Sequence, residues 1–101
     1  MRVIKGIDTL LKEYKALPDT GWLFIDEDFD VVSKNDILNK NYYLAQDDDE
    51  EEEMEDSHST FLESPTFKDI VVNKLNHNPK ATRDEIIEAI VHYLENDEFL
   101  D

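Results

Sequence analysis

From Ile4 to Leu17 the apolar residues Ile4, Ile7, Leu10, Leu11, Tyr14 and Leu17 recur at intervals of three and four. That spacing lays a single apolar stripe along a helix, expected from about Lys5 to Ala16. Pro18 closes it, because the residue before a proline is driven out of the helical region, and Asp19-Thr20-Gly21 reads as a turn. The chain then turns aromatic and β-branched. Trp22–Ile25, Phe29–Val32 and Tyr42–Leu44 read as strands, with Asp26-Glu27-Asp28 as a hairpin connection between the first two. Ser33–Asn41, polar except for Ile37 and Leu38, is expected to be a turn leading into the third strand. Helical periodicity resumes after Ser64. Phe67, Ile70, Val71 and Leu75 share one face, Ser64 or Thr66 can cap, and Pro65 is tolerated in the first turn, where its missing N–H has no partner to lose. His77-Asn78-Pro79 ends that helix. Thr82 and Glu85 then form a capping box ahead of Ile86, Ile87, Ala89, Ile90, Tyr93 and Leu94. Each helix has one apolar face that needs covering. The expectation is therefore one α+β domain over 1–101: an N-terminal helix, a short antiparallel sheet of about three strands, an acidic loop and two C-terminal helices.

Charge changes this picture more than composition does. The 101 residues carry 26 acidic against ten basic side chains, a formal net charge of −16. Between sheet and C-terminal helices lies Asp47-Asp48-Asp49-Glu50-Glu51-Glu52-Glu53-Met54-Glu55-Asp56, acidic at nine of its ten positions. Such a run is expected to repel itself and stay flexible, over about 46–60. Without it, 17 acidic residues still face ten basic ones, a net −7, so the folded part is itself acidic. Asp26, Glu27, Asp28 and Asp30 cluster at the expected hairpin, and Glu95, Asp97, Glu98 and Asp101 crowd the C-terminus. Nucleic acid and anionic membrane would both repel this surface. A basic protein would not.

Site chemistry narrows the choice further. With no cysteine in the chain, disulfides, thiolate nucleophiles and Cys-ligated zinc drop out, and a reducing, cytoplasmic compartment fits. There is no signal-peptide core and no apolar run long enough to span a bilayer. Asp26-x-Asp28-x-Asp30 begins like a calcium loop, but Val31 stands where the sharp turn needs glycine and Ile37 where a bidentate carboxylate belongs. His58, His77 and His92 show no pairing at the spacing that sets two zinc ligands on one helix face. Ser57, Ser59 and Thr60 flank His58, yet two glycines in the whole chain are poor material for a nucleophile elbow and its oxyanion hole. The expectation is a binding protein, with no catalytic residue, metal or cofactor. Trp22, Phe24, Tyr42 and Tyr43 are mostly core material, with one of the adjacent tyrosines buried and the other exposed, since neighbours on a strand face opposite ways.

Leu17-Pro18-Asp19-x-x-Trp22-Leu23-Phe24, the acidic insertion, and the ending from Ile70-Val71 through Asn78-Pro79-x-Ala81-Thr82 to Glu88-Ala89-Ile90-x-x-Tyr93-Leu94-x-x-Asp97-x-Phe99 resemble a group of small bacterial proteins. Members of that group are similar to the immunity proteins encoded beside secreted toxins, including those of contact-dependent growth inhibition. The likeness spans most of the chain and lies in fold-maintaining residues. The acidic tract here is longer than in a typical member, and the strand after it looks degenerate. What the resemblance implies is neutralisation of a cognate toxin, expected to be a basic nuclease bound through its C-terminal domain. The contributing charges would be Asp26, Glu27, Asp28, Asp30, Asp47, Asp48, Asp49, Glu50, Glu51, Glu52, Glu53, Glu55 and Asp56, with Tyr43 or Trp22 as an apolar anchor. An acidic adaptor that mimics DNA toward a basic cellular protein is the alternative reading.

Overall fold

The computed structural model describes residues 1–99 and is an α+β domain built on one four-stranded antiparallel sheet. Asp101, one of the acidic residues of the C-terminal cluster, lies outside the described residues. Strand β1 (Arg2–Lys5) leads into helix α1 (Gly6–Glu13), which tightens into a 3-10 turn over Tyr14–Ala16. Strand β2 (Trp22–Ile25), helix α2 (Lys34–Asn39) and strand β3 (Asn41–Leu44) follow. Helix α3 (Asp48–Ser57), strand β4 (Ser59–Glu63), and helices α4 (Ser64–His77) and α5 (Arg83–Asn96) complete the chain. The sheet order is β1-β3-β2-β4.

Two strands escaped the periodicity. Ile4 fits the helical stripe, yet it is paired with Tyr42 across β1 and β3, and Gly6, at φ +79°, turns the chain from strand into helix. A side chain at Gly6 would press on the Leu38 carbonyl oxygen, 3.0 Å from an added Cβ. β4, which looked degenerate, is a five-residue edge strand. Its pairing with β2 slips by one residue: Trp22 faces Glu63 and Phe24 faces Thr60, so Leu23 alone stands opposite Phe61 and Leu62. This bulge lets two consecutive residues, Phe61 and Leu62, both reach the core, which erases the alternation a strand would otherwise show.

Phe29–Val32, in contrast, is no strand, and there is no hairpin after β2. The Phe29 N–H donates to the Asp26 carbonyl and the Ser33 N–H to the Asp30 carbonyl, each at 3.0 Å, giving two turns in succession. Carboxylates take the amides that a ladder would need: Asp30 accepts from the Val32 N–H at 3.1 Å, and Asp36 accepts from the Asp30 N–H at 2.8 Å. Ser33 caps α2 through the Asp36 N–H. Phe29 still reaches the interior, its ring 5.6 Å from that of Tyr42 and 5.7 Å from that of Phe61.

The main core lies on one face of the sheet. Ile7 and Leu10 of α1, Ile37 of α2, Phe67, Ile70 and Val71 of α4, and Ile86, Ile87 and Ile90 of α5 pack there against Ile4, Leu23, Ile25 and Tyr42. α4 begins with Pro65 in its first turn, and its N-terminal flanking residue is Glu63, with no side-chain cap. The Thr82–Glu85 capping box at α5 is complete, and the Thr82 amide and hydroxyl hold the Glu85 carboxyl below its ordinary range. Phe24 and Met54 are buried as well, at 0% and 3% exposure, but stand outside this core. Strand alternation turns Phe24 away from Leu23 and Ile25, to the opposite face, which is the face α3 covers. No helix among the described residues is long and apolar enough to cross a membrane.

Candidate acidic interface

The acidic run, expected to be a flexible loop, is helix α3. Its start is dictated locally. Asp47 has extended backbone and accepts from the Glu50 N–H at 2.8 Å, so it serves as the N-cap. Glu50 reaches back to the Gln46 N–H at 3.0 Å and to the Met1 ammonium at 2.6 Å, and these two donors, ammonium first, hold its carboxyl below the ordinary range. Asp48, Asp49, Glu50 and Glu51 fill the first turn, where free amides and the helix dipole favour negative charge. One side of the helix is then tied down. Met54 is its buried residue, and Glu51 accepts from the Trp22 N–H at 2.9 Å, joining α3 to β2.

The other side is carboxylate. Asp49 lies three and four residues before Glu52 and Glu53, and Asp56 four and three after them, so the four share one side of the helix and line a shallow surface hollow by themselves. Asp48 and Glu55 flank them, and all six are exposed. Five of the chain's ten Lys and Arg side chains are paired elsewhere. Arg2 pairs with Glu13, Lys34 with Asp84, Lys40 with Asp28 and Asp36, Lys68 with Asp19, and Arg83 with Asp8. Among the described residues no Lys or Arg side chain pairs with α3, whose one ion pair is Glu50 with the Met1 amine.

The other predicted charges divide. Asp26 joins the α3 side: it accepts from the Tyr43 hydroxyl at 3.1 Å, and the Tyr43 ring lies 4.9 Å from that of His58, the residue that caps the C-terminus of α3. Burial, reinforced by the hydrogen bond to Asp26, pushes the Tyr43 hydroxyl above the ordinary tyrosine range and keeps it a donor. Tyr43 is thus a half-buried bridge, while its neighbour Tyr42 is buried outright, as alternation required. Glu27 is exposed at the adjoining turn. Asp28 and Asp30 serve the fold, Asp28 by pairing with Lys40 at 3.2 Å and Asp30 by closing its turn. Sequence reasoning missed the packing of His58, which the fold brings against Tyr43, fifteen positions earlier in the chain. It read Gly21 as a turn but missed the approach of Glu51 that demands a glycine there: an added Cβ would stand 2.7 Å from Glu51 Oε1.

Such a surface offers charge and shape, and at its C-terminal end the Ser57 hydroxyl lies 2.8 Å from His58 Nδ1. Among the described residues no three His, Asp or Glu side chains converge to hold a metal ion. The sequence model of one protein family, described as Domain of unknown function (DUF7716), matches residues 5–101. No curated protein and no solved structure matches the chain.

Proposed function

The chain belongs to the DUF7716 family, and since that description carries no activity, we propose from the surface itself that this domain works by binding a basic protein through the outward face of α3. One observation carries the reading: six exposed carboxylates, ordered on a helix that the sheet holds in place, face solvent with no Lys or Arg among the described residues paired to them. Like charges four residues apart, as in Asp49–Glu53 and Glu52–Asp56, destabilise a helix, and a basic partner would relieve that repulsion on contact. Asp26, Glu27 and Tyr43 extend the surface past the C-terminal end of α3.

In its specific form the partner is the basic nuclease domain of a toxin encoded beside this protein, which the domain neutralises in the cytoplasm by laying carboxylates where nucleic acid phosphates would lie. That form draws support from the resemblance to immunity proteins and from the charge, and it needs no chemistry by the domain itself. Replacing Asp49, Glu52, Glu53 and Asp56 by their amides is the test. Association with the toxin domain encoded next to it should slow at least about tenfold at low salt and lose most of its salt dependence. Cells expressing the wild-type domain should survive the toxin, and cells expressing the amide variant should not. Wild-type protein that gives no protection sinks the toxin reading, and an unchanged association rate sinks the use of this face.

A further inference from the structure

A second concavity opens at the N-terminal end of α3. It has a volume of about 180 Å³ and is walled by Pro18, Thr20, Gly21 and Trp22 before and within β2, by Leu44 to Asp48, and by Glu51 and Ser64. Its polar groups are not all satisfied. Ser64 is 0% exposed and its N–H is spent on the Gly21 carbonyl at 2.8 Å, yet its hydroxyl has no hydrogen-bond partner. A buried polar atom left unpaired costs stability, so an orphan in the wall of a cavity is a signature of something that enters it.

The lining states what kind of group that is. A helix N-terminus by itself would favour an anion, but here Asp47, Asp48 and Glu51 already occupy it and no Lys, Arg or His lines the cavity. The cavity therefore selects a cation. The three carboxylates do not converge to metal-ligating distances, whereas a planar or long-stemmed organic cation can reach them separately. Trp22 lines this cavity as well as a hollow beside Tyr93 and Leu94, and an aromatic ring is a surface on which a guanidinium packs well. The volume fits the end of one long side chain and falls short of the roughly 300–1,000 Å³ of a typical small-molecule site. We infer that this cavity is the anchor for a single arginine side chain of the basic partner, with Asp48 and Glu51 receiving the guanidinium, Trp22 packing against it and the Ser64 hydroxyl accepting one of its N–H groups. The anchor deepens the proposed function and rests on it: the stripe attracts a basic surface, and the cavity fixes its register.

Trp22 is the only tryptophan in the chain and lines the cavity, so its fluorescence responds to an occupant there. The probe is N-acetyl-arginine amide, with N-acetyl-citrulline amide as its uncharged match. The arginine probe should change Trp22 emission saturably and the citrulline probe should not. Asp48→Asn with Glu51→Gln, the latter keeping an acceptor for the Trp22 N–H, should weaken the arginine probe about tenfold while leaving the near-ultraviolet circular dichroism intact. Asp48→Asn alone, at an exposed position, should weaken it in the same direction. The stripe variant with amides at Asp49, Glu52, Glu53 and Asp56 should bind the probe as wild type does. Equal responses to both probes, or an arginine response unchanged in the cavity variants, overturns the anchor. A failure of the stripe variant to alter partner association, with the probe still binding in the cavity, overturns the proposed face instead.

Discussion

Tyr42 meets the rings of Phe61 and Phe29 nearly edge-on, at centroid distances of 5.2 and 5.6 Å, and donates its hydroxyl hydrogen to the Ile37 carbonyl at 2.7 Å. Burial, then the nearby Asp36 charge, pushes that hydroxyl well above its ordinary value of 10.0. The folded state therefore keeps a proton that the unfolded chain releases above about pH 10, and stability should fall as pH rises past that point, by up to about 1.4 kcal/mol per pH unit. Urea titrations at pH 8 and above pH 10 check this. Tyr42→Phe should cost about 1–3 kcal/mol at pH 8 by orphaning the Ile37 carbonyl, and should flatten the alkaline loss. Gly21 offers a second single-residue test. At φ +90°, with an added Cβ set against the Glu51 carboxylate, Gly21→Ala should destabilise by about 1–3 kcal/mol in the same titration. The burial of Tyr42 was legible from strand alternation, whereas its neighbour Tyr43, for which alternation predicts exposure, is half-buried against Asp26 and His58. Gly21 was legible as a turn, but the carboxylate that crowds it comes from a residue thirty positions away.

For α3 the sign of a charge effect depends on position. Asp48 lies in the first turn, beside free amides, while Asp56 lies in the last, beside free carbonyls and with no basic residue to balance it. Asp48→Asn should therefore destabilise and Asp56→Asn stabilise the domain, each by about 0.3–1 kcal/mol at low salt, as thermal melts would show. A flexible loop would respond alike at both positions. The run looked like such a loop because nine carboxylates repel one another. What outweighed the repulsion was legible in part: an aspartate placed to cap, a glutamate three residues on, and a single apolar residue, Met54, in a polar stretch. α1, α4 and α5 were readable because their apolar stripes are long and their ends are marked by Pro18, Pro65, Pro79 and the Thr82–Glu85 pair. α2 was hidden because six residues with one buried position, Ile37, cannot establish a period.

Across the molecule the ion pairs join elements distant in sequence, such as Arg83 with Asp8 and Lys68 with Asp19, and they leave the densest negative charge on α3 and the neighbouring turn. Long-range repulsion among those charges opposes folding, and added salt screens it over about 10 Å at 0.1 M. Stability should accordingly rise between about 0.01 and 0.2 M salt, measured by urea midpoint at pH 7, and the amide variant at Asp49, Glu52, Glu53 and Asp56 should show a smaller rise. A wild-type midpoint that falls with salt would mean that the surface ion pairs outweigh the repulsion.

The α+β class, three of the helices, β2, β3 and the acidity of the folded part all follow from local signals: apolar period, caps, prolines and a count of charges. Those signals act between near neighbours, so a chain read in order contains them. The places of β1 and β4 at the sheet edges, the bulge opposite Leu23 and the seating of α3 on the second face do not act locally. Each depends on a partner brought in from elsewhere in the chain, as Glu51 is brought to the Trp22 amide and His58 to Tyr43. The carboxylates of the run were plain in the sequence. That a helix sorts them, turning Met54 and Glu51 inward and Asp49, Glu52, Glu53 and Asp56 outward, was settled only when the sheet supplied a surface to bury one side.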